Sequence, residues 1–184
     1  LNITGAGPMN EAWSGSGAPW YNKRANITSI VVEEGITDIS PQAFYNCTAV
    51  TKVTIPNTVH EIGNDAFSGC TGLTSLELPT AITEIDMRAF KNCRSLASVY
   101  LPSGLTTLGG SAFYGCTSLE TVTFHSGAGV TTLNSNTFYG CSKLKKVKLP
   151  YGLTTLNSAF SNCTGLETIY LPIKFINSDL SSIF

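Results

Sequence analysis

The stretch Ala66–Arg88, AFSGCTGLTSLELPTAITEIDMR, is a 23-residue unit that recurs along the chain. Moved by 23 residues in either direction, it meets the same residue types again: an Ala-Phe pair, a cysteine, spaced aliphatic residues and a proline. A period held this strictly indicates an array of stacked repeats in which each unit contacts its neighbours. The units are Ala43–Asp65, Ala66–Arg88, Ala89–Ser111, Ala112–Asn136, Thr137–Ser158 and a last one that opens with Ala159 and Phe160.

Each unit predicts one strand of a parallel sheet. Leu73, Leu76 and Leu78 are apolar positions that alternate toward the end of the stretch and stop at Pro79. Because proline has no N–H, it ends strand pairing at the same point of each rung. Two further apolar residues of the unit, three positions apart, are predicted to point inward from the opposite side of the coil.

The turn that closes each rung has its own signature. Ala66–Cys70 predicts one tight helical turn, and the phenylalanines of successive units are predicted to stack into a spine. The residue before every cysteine is Gly or Asn, the types that best tolerate a left-handed backbone. We therefore predict a positive φ at Asn46, Gly69, Asn92, Gly115, Gly140 and Asn162.

Both ends of the array depart from the unit. Leu1–Pro19 lies outside the period, and we predict that it caps the apolar end of the first rung. The array then spans residues 20–184 in about seven rungs, and its degenerate first rung carries Trp20-Tyr21 in the Ala-Phe position. The pattern fades after Pro172, which indicates either a C-terminal cap or an incomplete last rung.

The six cysteines share one position of the repeat. Stacked rungs place them in a column at about 4.8 Å per rung, but parallel side chains have the wrong Cβ directions for a disulfide. We predict a buried ladder of free thiols that act as small hydrophobic side chains. No ligand spacing for zinc occurs, so no metal and no cofactor is predicted. The cysteines are Cys47, Cys70, Cys93, Cys116, Cys141 and Cys163.

The composition limits the class of partner. Hydrophobic residues make up 42% of the chain and charged residues 12%, with a net charge of −1. This argues against disorder and against nucleic acid or an acidic membrane as the partner. No stretch is long and apolar enough for a transmembrane segment. The chain begins at Leu1 without Met or a leader, so we expect a mature or trimmed chain, and its weakly charged surface favours an extracellular location.

The unit A-F-x-x-C-x-x-L-x-x-V-x-L-P-x-x-L-x-x-I, with Gly or Asn before the cysteine, resembles the BspA-like leucine-rich repeat family. The stretches Leu1–Gly7 and Ala18–Trp20 are similar to the lead-in of its members. The resemblance covers essentially the whole chain and departs at His125 and after Pro172. It implies a bacterial, occasionally protist, protein that is secreted or held at the cell surface, with a binding or adhesion role in some relatives and no common catalytic residues.

Residues that alternate with the inward apolar ones are predicted to line an open sheet face, where solenoids commonly bind partners. Tyr100 and Tyr170 are the best anchors, since exposed tyrosine offers contact area and a hydroxyl at modest entropic loss. The plainer interpretation is that tyrosine and threonine suit an exposed strand. The candidate ligand-binding residues are Lys52, Glu77, Tyr100, Lys146, Lys148 and Tyr170.

The only charge cluster is a run of four lysines within six residues. Lys146 and Lys148 are predicted to lie on the open face, where they could meet a sulfated or sialylated glycan or an acidic protein; alternatively, they only keep the sheet soluble. Lys145 is predicted to pair with Glu120 and Glu167 in the neighbouring rungs. Two lysines are too few for a nucleic-acid site.

Catalysis finds little support in the sequence. His60 and His125 lie about three rungs, or roughly 14 Å, apart, and the cysteines are interior, so no Ser-His-Asp or Cys-His arrangement forms. Asp65 and Asp86 fall at rung corners and are interpreted as turn caps rather than an acid/base pair.

The sequence therefore predicts a right-handed, β-rich leucine-rich-repeat solenoid with a parallel sheet on one face and short helical turns or extended segments on the others. The predicted function is a non-enzymatic surface or secreted module that binds a protein or glycan, including one of a host's extracellular surface. The alternative is a structural spacer with no ligand of its own. The chain is predicted to be a monomer, or a weak end-to-end dimer if an end rung is left open.

Overall fold

The computed structural model describes residues 1–175 of the 184-residue chain and forms a parallel β-solenoid of about six turns. This confirms the predicted class of fold. The strands are short because the chain turns a corner after every two to four paired residues. In chain order they are β1 (Asn2–Ile3), β2 (Gly7–Pro8), β3 (Ser29–Val32), β4 (Ile36–Ile39), β5 (Lys52–Thr54), β6 (Glu61–Ile62), β7 (Glu84–Ile85), β8 (Ser98–Leu101), β9 (Thr107–Leu108), β10 (Thr121–Phe124), β11 (Thr132–Leu133), β12 (Lys146–Lys148), β13 (Thr155–Leu156) and β14 (Thr168–Tyr170).

Strands of neighbouring rungs pair side by side, and every pair is parallel. The open sheet has two parts, with strand orders β1-β3-β5 and β8-β10-β12-β14. The second sheet, on another side of the coil, has the orders β2-β4-β6-β7-β9 and β11-β13. Because the register repeats from rung to rung, equivalent side chains form columns along the solenoid axis.

The open sheet is interrupted at the stretch that shows the repeat most clearly. Leu73–Pro79 contains no strand residue, so the strand predicted there was wrong. Leu73 and Leu76 are nevertheless buried. The hydrogen bond from the Thr74 N–H to the Thr51 carbonyl of the preceding rung is long, at 3.5 Å. Burial of the apolar positions therefore fixes the path of this rung, and it does so without a closed ladder of main-chain bonds.

The turn face is made of consecutive turns rather than a helical turn. In Ala66–Cys70, the N–H groups of Phe67 and Gly69 donate to carbonyl oxygens of the next rung, at 2.8 and 2.7 Å. The N–H groups that alternate with them, those of Ala66, Ser68 and Cys70, donate to carbonyl oxygens three residues earlier and so close turns within the same rung. Positive φ at Asp65 (54°) and Gly69 (78°) interrupts a right-handed helix. The predicted helical turn was wrong here, and the turns form an inter-rung ladder of their own.

The predicted left-handed positions are confirmed. Every residue that precedes a cysteine has a positive φ, between 56° and 78°. A second left-handed column, which the sequence does not reveal because its residue types vary, precedes the Ala-Phe or Thr-Phe pair of most rungs. Its members are Gln42, Asp65, Arg88, Ser111 and Asn136.

An aromatic stack runs through the core, as predicted. The rings of Phe44, Phe67, Phe90, Phe113, Phe138 and Phe160 follow one another at centroid distances of 5.1–5.5 Å with nearly parallel planes. Trp20 stacks on Phe44 at 5.6 Å, and its indole N–H donates to the Ala43 carbonyl at 2.8 Å. Trp20, not the next residue Tyr21, thus continues the spine, and Trp13 meets it edge-on at 5.4 Å.

The two ends differ in how much is described. At the N-terminus β1 and β2 pair with β3 and β4, and Met9 and Ala18 are buried. These contacts support the predicted cap, which stays a prediction. The predicted C-terminal cap or incomplete last rung falls after Pro172, and residues 176–184 of it lie outside the described residues. The 3-10 helices are Glu11–Trp13, Gly15–Gly17, Tyr21–Asn26 and Ile173–Phe175, and none of the helices in residues 1–175 is long and apolar enough to span a membrane.

Candidate binding face

The predicted alternation of inward and outward side chains is present in β8, β10, β12 and β14. Val99, Val122 and Val147 are buried beneath the sheet. The residues on either side of them form two outward columns that stay in register over four rungs. One column is Ser98, Thr121, Lys146 and Thr168, and the other is Tyr100, Thr123, Lys148 and Tyr170.

Three of the predicted site residues meet at one groove of this face. Lys146, Lys148 and Tyr170 line it together with Thr121 and Thr123, and its volume is about 460 Å³. The Lys146 ammonium lies 5.3 Å from the centroid of the Tyr170 ring, within the range of a cation–π contact. Tyr170 keeps 51% of its surface exposed. The groove therefore offers positive charge, an aromatic surface and two hydroxyls to the same ligand.

Tyr100 lies apart from this groove. Its ring meets the imidazole of His125 edge-on, with centroids 6.2 Å apart, and 52% of its surface is exposed. The main-chain N–H of His125 donates to the Leu101 carbonyl at 2.8 Å. The proline at this position in other rungs has no N–H and could not form this hydrogen bond. Because β10 and β12 separate Tyr100 from Tyr170, the two predicted anchors form no continuous aromatic patch.

Lys52 and Glu77 lie at the interruption of the open sheet. Lys52 is the first residue of β5, whereas Glu77 belongs to the stretch without a strand. With Ser75 and Ile55 they line a separate opening of about 180 Å³. The structure thus divides the six predicted residues among three places: the groove, the Tyr100 position and this opening.

The predicted ion pairs of Lys145 are absent from the structure. Its backbone is in register with both neighbours: the Lys145 N–H donates to the Glu120 carbonyl at 2.9 Å, and the Glu167 N–H donates to the Lys145 carbonyl at 3.0 Å. Within residues 1–175 the only ion pair is between Arg88 and Asp65, at 2.9 Å, so Asp65 is a partner of Arg88 rather than the predicted turn cap. Exposed ion pairs gain little energy and restrict two long side chains. Backbone register alone therefore does not bring the Lys145 ammonium and the two carboxylates together.

The cysteine column is interior, as predicted. All six thiols are free and buried. From the second onward, each thiol donates to the carbonyl of a spine phenylalanine in the preceding rung, at 3.0–3.3 Å. Burial raises the pKa of Cys116 to about 12 and, against the opposing charge of Arg24, that of Cys47 to about 11. The Cys47 and Cys116 thiols are therefore protonated at neutral pH and do not provide a nucleophile.

The second sheet carries an acidic column. Asp38, Glu61 and Glu84 are in register in β4, β6 and β7. Partial burial, together with the negative charge of Asp86, raises the pKa of both Glu61 and Glu84. The charges of Glu84 and Asp38 raise the pKa of Glu61 further. No group of three His, Cys, Asp or Glu side chains in the described part of the chain is arranged to hold a metal ion.

An aromatic row on the turn face was missed at the sequence level. The rings of Tyr114 and Tyr139 stack at 4.7 Å, and the Lys91 ammonium lies 5.3 Å from the Tyr114 centroid. All three residues directly follow a spine phenylalanine, so the recurrence of tyrosine at this position was the available signal. They are half-buried against one another, which indicates that the row stabilises the turns.

Comparison with known proteins places the repeats among bacterial leucine-rich repeat proteins. The family model described as BspA type leucine rich repeat region matches residues 18–129 and 62–182, in six copies. A leucine-rich repeat protein from Bacteroides ovatus ATCC 8483 is 36% identical, with a TM-score of 0.74 over 80% of this chain and 38% of its own. No curated protein matches the chain.

Two further solved structures agree with this result. The T. pallidum leucine-rich repeat protein is 33% identical, with a TM-score of 0.76 over 79% of this chain and 71% of its own. A leucine rich cell surface protein from Faecalibacterium prausnitzii A2-165 is 36% identical, with a TM-score of 0.70 over 78% of this chain and 38% of its own. The match thus spans less than two fifths of the Bacteroides and Faecalibacterium proteins.

Proposed function

The chain belongs to the BspA-type leucine-rich repeat family, and we propose that it is a cell-surface or secreted module that binds a protein or glycan through its open sheet face. Solenoids of this kind generally act as non-enzymatic interaction modules, with binding spread over an extended surface. An extracellular location is supported by the low share of charged residues, 12%, and by the similarity to a cell surface protein from Faecalibacterium.

The observation that carries this proposal is the convergence of Lys146, Lys148 and Tyr170 on one exposed groove. Packing does not require these residue types, since the same two columns hold Thr121 and Thr123 in the rung before the lysines. A lysine pair beside a half-exposed aromatic ring adds little to folding stability and is well suited to contact with a ligand.

The test is an array of glycans and extracellular matrix proteins, probed with the wild type and two open-face variants. These are Lys146→Glu/Lys148→Glu and Tyr100→Ala/Tyr170→Ala. Lys23→Glu/Arg94→Glu is a control with the same change in charge at exposed residues away from the groove. We expect binding by the wild type and the control, and loss of binding in at least one open-face variant.

Two results would contradict the proposal. A wild type that binds nothing on the array would favour a structural spacer. Binding that is unchanged in both open-face variants would place the recognition surface elsewhere on the solenoid.

A further inference from the structure

We propose that the ligand of the open face is an anionic glycan, bound at the groove of Lys146, Lys148 and Tyr170. This inference rests on the function proposed above and adds the chemical class of the ligand. It follows from three features: the distribution of charge along the coil, the absence of ion pairs of the lysines within residues 1–175, and the side chains that surround them.

Charge is divided along the solenoid axis, although the whole chain is nearly neutral. Residues 1–88 carry nine acidic and four basic side chains, whereas residues 89–175 carry two acidic and seven basic ones. Because rungs stack in sequence order, the acidic column that ends at Glu84 lies about three rungs, or roughly 14 Å, from the rung of Lys146. Charges are screened over about 8 Å at physiological salt. A ligand at the groove therefore experiences a basic surface.

The lysines of this rung are available to a ligand. All four are exposed, and none forms an ion pair within residues 1–175. Glu120 and Glu167 of the adjacent rungs form main-chain hydrogen bonds to this rung, and their carboxylates form no ion pair with its lysines. Arg88 differs, because Asp65 already neutralises it at 2.9 Å. The positive charge at the groove is thus not neutralised by the protein itself. The four residues are Lys143, Lys145, Lys146 and Lys148.

The surroundings of the lysines favour a sugar over other anions. The exposed part of the Tyr170 ring offers a surface for the apolar face of a pyranose, and the Lys146 ammonium 5.3 Å from the ring centroid is placed to meet a sulfate or carboxylate on it. Thr121 and Thr123 add hydroxyls that both donate and accept hydrogen bonds. An acidic peptide would gain most from an apolar anchor pocket, which the lining of Thr, Lys and Tyr does not supply.

The lysines and Tyr170 are also arranged to suit a linear ligand. Lys146 and Lys148 are two residues apart on one strand, so their Cα atoms lie about 7 Å apart along the rung. Tyr170 lies one strand further, in register with Lys148. A linear glycan with repeated anionic groups would meet both ammonium groups while one of its rings rests on Tyr170. Nucleic acid would need many more phosphate contacts than one rung supplies.

The experiment measures binding of immobilised dextran sulfate, hyaluronan, neutral dextran, polyglutamate and single-stranded DNA. The variants are Lys146→Gln/Lys148→Gln, Tyr170→Ala and Tyr170→Phe, with Lys23→Gln/Arg94→Gln as the matched control. We expect the wild type to bind dextran sulfate or hyaluronan and not neutral dextran. The Kd should rise at least tenfold in the lysine variant and about three- to tenfold in Tyr170→Ala. It should rise less in Tyr170→Phe, which keeps the ring, and stay unchanged in the control. Circular dichroism melts verify that each variant is folded.

The outcomes separate the two proposals. Preference for polyglutamate or DNA over both anionic glycans would overturn the inference. So would binding of neutral dextran or of a matrix protein that depends on Tyr170 but not on the lysines, and in that case the open face would still be the binding face. If no probe and no array ligand depends on any open-face residue, both proposals fail. A preference for dextran sulfate over hyaluronan, or the reverse, distinguishes sulfate from carboxylate as the recognised group.

Discussion

The turn face and the open sheet face belong to the same rungs but follow opposite rules. On the turn face, the spine, cysteine and Asn/Gly positions hold nearly the same residue type in every rung, because each side chain fills the space beside its neighbour. On the open face, one column passes from Ser98 through Thr121 to Lys146 within three rungs, while the valines beneath it stay buried. Strict repetition in this molecule marks packing, and the outward columns of the open face vary because their side chains are not buried in the core.

The Asn/Gly column shows how strict packing is on the turn face. The Asn46 side-chain oxygen occupies the place that a Cβ on Gly69 would take, and Asn92 stands in the same relation to Gly115. Gly140 follows a glycine instead, and a Cβ there would meet nothing within 4 Å. In both cases a residue larger than glycine would have to displace the asparagine side chain of the preceding rung.

The largest expected effect comes from breaking the spine. Phe90 is fully buried between two stacked rings, so Phe90→Ala should lower the free energy of unfolding by about 3–5 kcal/mol. Tyr100→Ala, which removes a ring from the open face, should change it by less than about 1 kcal/mol. Urea denaturation followed by circular dichroism measures both. Equal losses would show that the open face is also part of the packing.

A smaller effect distinguishes two glycines of one column. Gly140→Ala should cost about 1–2 kcal/mol, because alanine is strained at its φ of 68°. Gly69→Ala has the same strain at 78° and must also displace the Asn46 side chain, which adds about 1–3 kcal/mol. Denaturant midpoints of the two variants measure the difference.

The matched control is the double variant Asn46→Gly/Gly69→Ala. Removing the Asn46 side chain should return the cost of the alanine to that of Gly140→Ala. If Gly69→Ala and Gly140→Ala are equally destabilising with Asn46 in place, the neighbouring side chain does not determine which residue this column accepts.

The same contrast explains what could be predicted from the sequence. The phenylalanine spine, the interior thiols and the left-handed backbone at Asn46 follow from a strict period, since one residue type in one place has one physical explanation. The interruption at Leu73–Pro79 does not follow, because its apolar pattern satisfies burial whether or not the main-chain ladder closes. The sequence also does not show that Trp20 rather than Tyr21 continues the spine, since the degenerate first rung has two adjacent aromatic residues.

The candidate site was partly predictable for a related reason. Alternation placed Lys146, Lys148 and Tyr170 on the outer side of the sheet, and register then brought them to one groove. The contribution of Thr123 was not predicted, because threonine is common on exposed strands and carries no signal of its own. The pairing of Lys145 failed because long exposed side chains are not held in place by backbone register.

A pH-dependent effect separates hydrogen bonding from titration inside the turn face. Burial raises the pKa of Cys116 from its ordinary value near 9 to about 12, so the native state holds this proton more tightly than the unfolded chain does. Stability from this group is therefore complete below about pH 9 and decreases as pH rises toward 12, by up to about 1.4 kcal/mol per pH unit. Cys116→Ser keeps a donor for the Phe90 carbonyl, now 3.2 Å from the thiol sulfur, but removes the titration, whereas Cys116→Ala removes both. Urea denaturation between pH 8 and 10.5 should show a shallower alkaline decrease in both variants than in the wild type, and a lower stability at pH 8 for Ala than for Ser. A decrease in Cys116→Ser as steep as in the wild type would mean that titration of this thiol does not contribute to the loss of stability at alkaline pH.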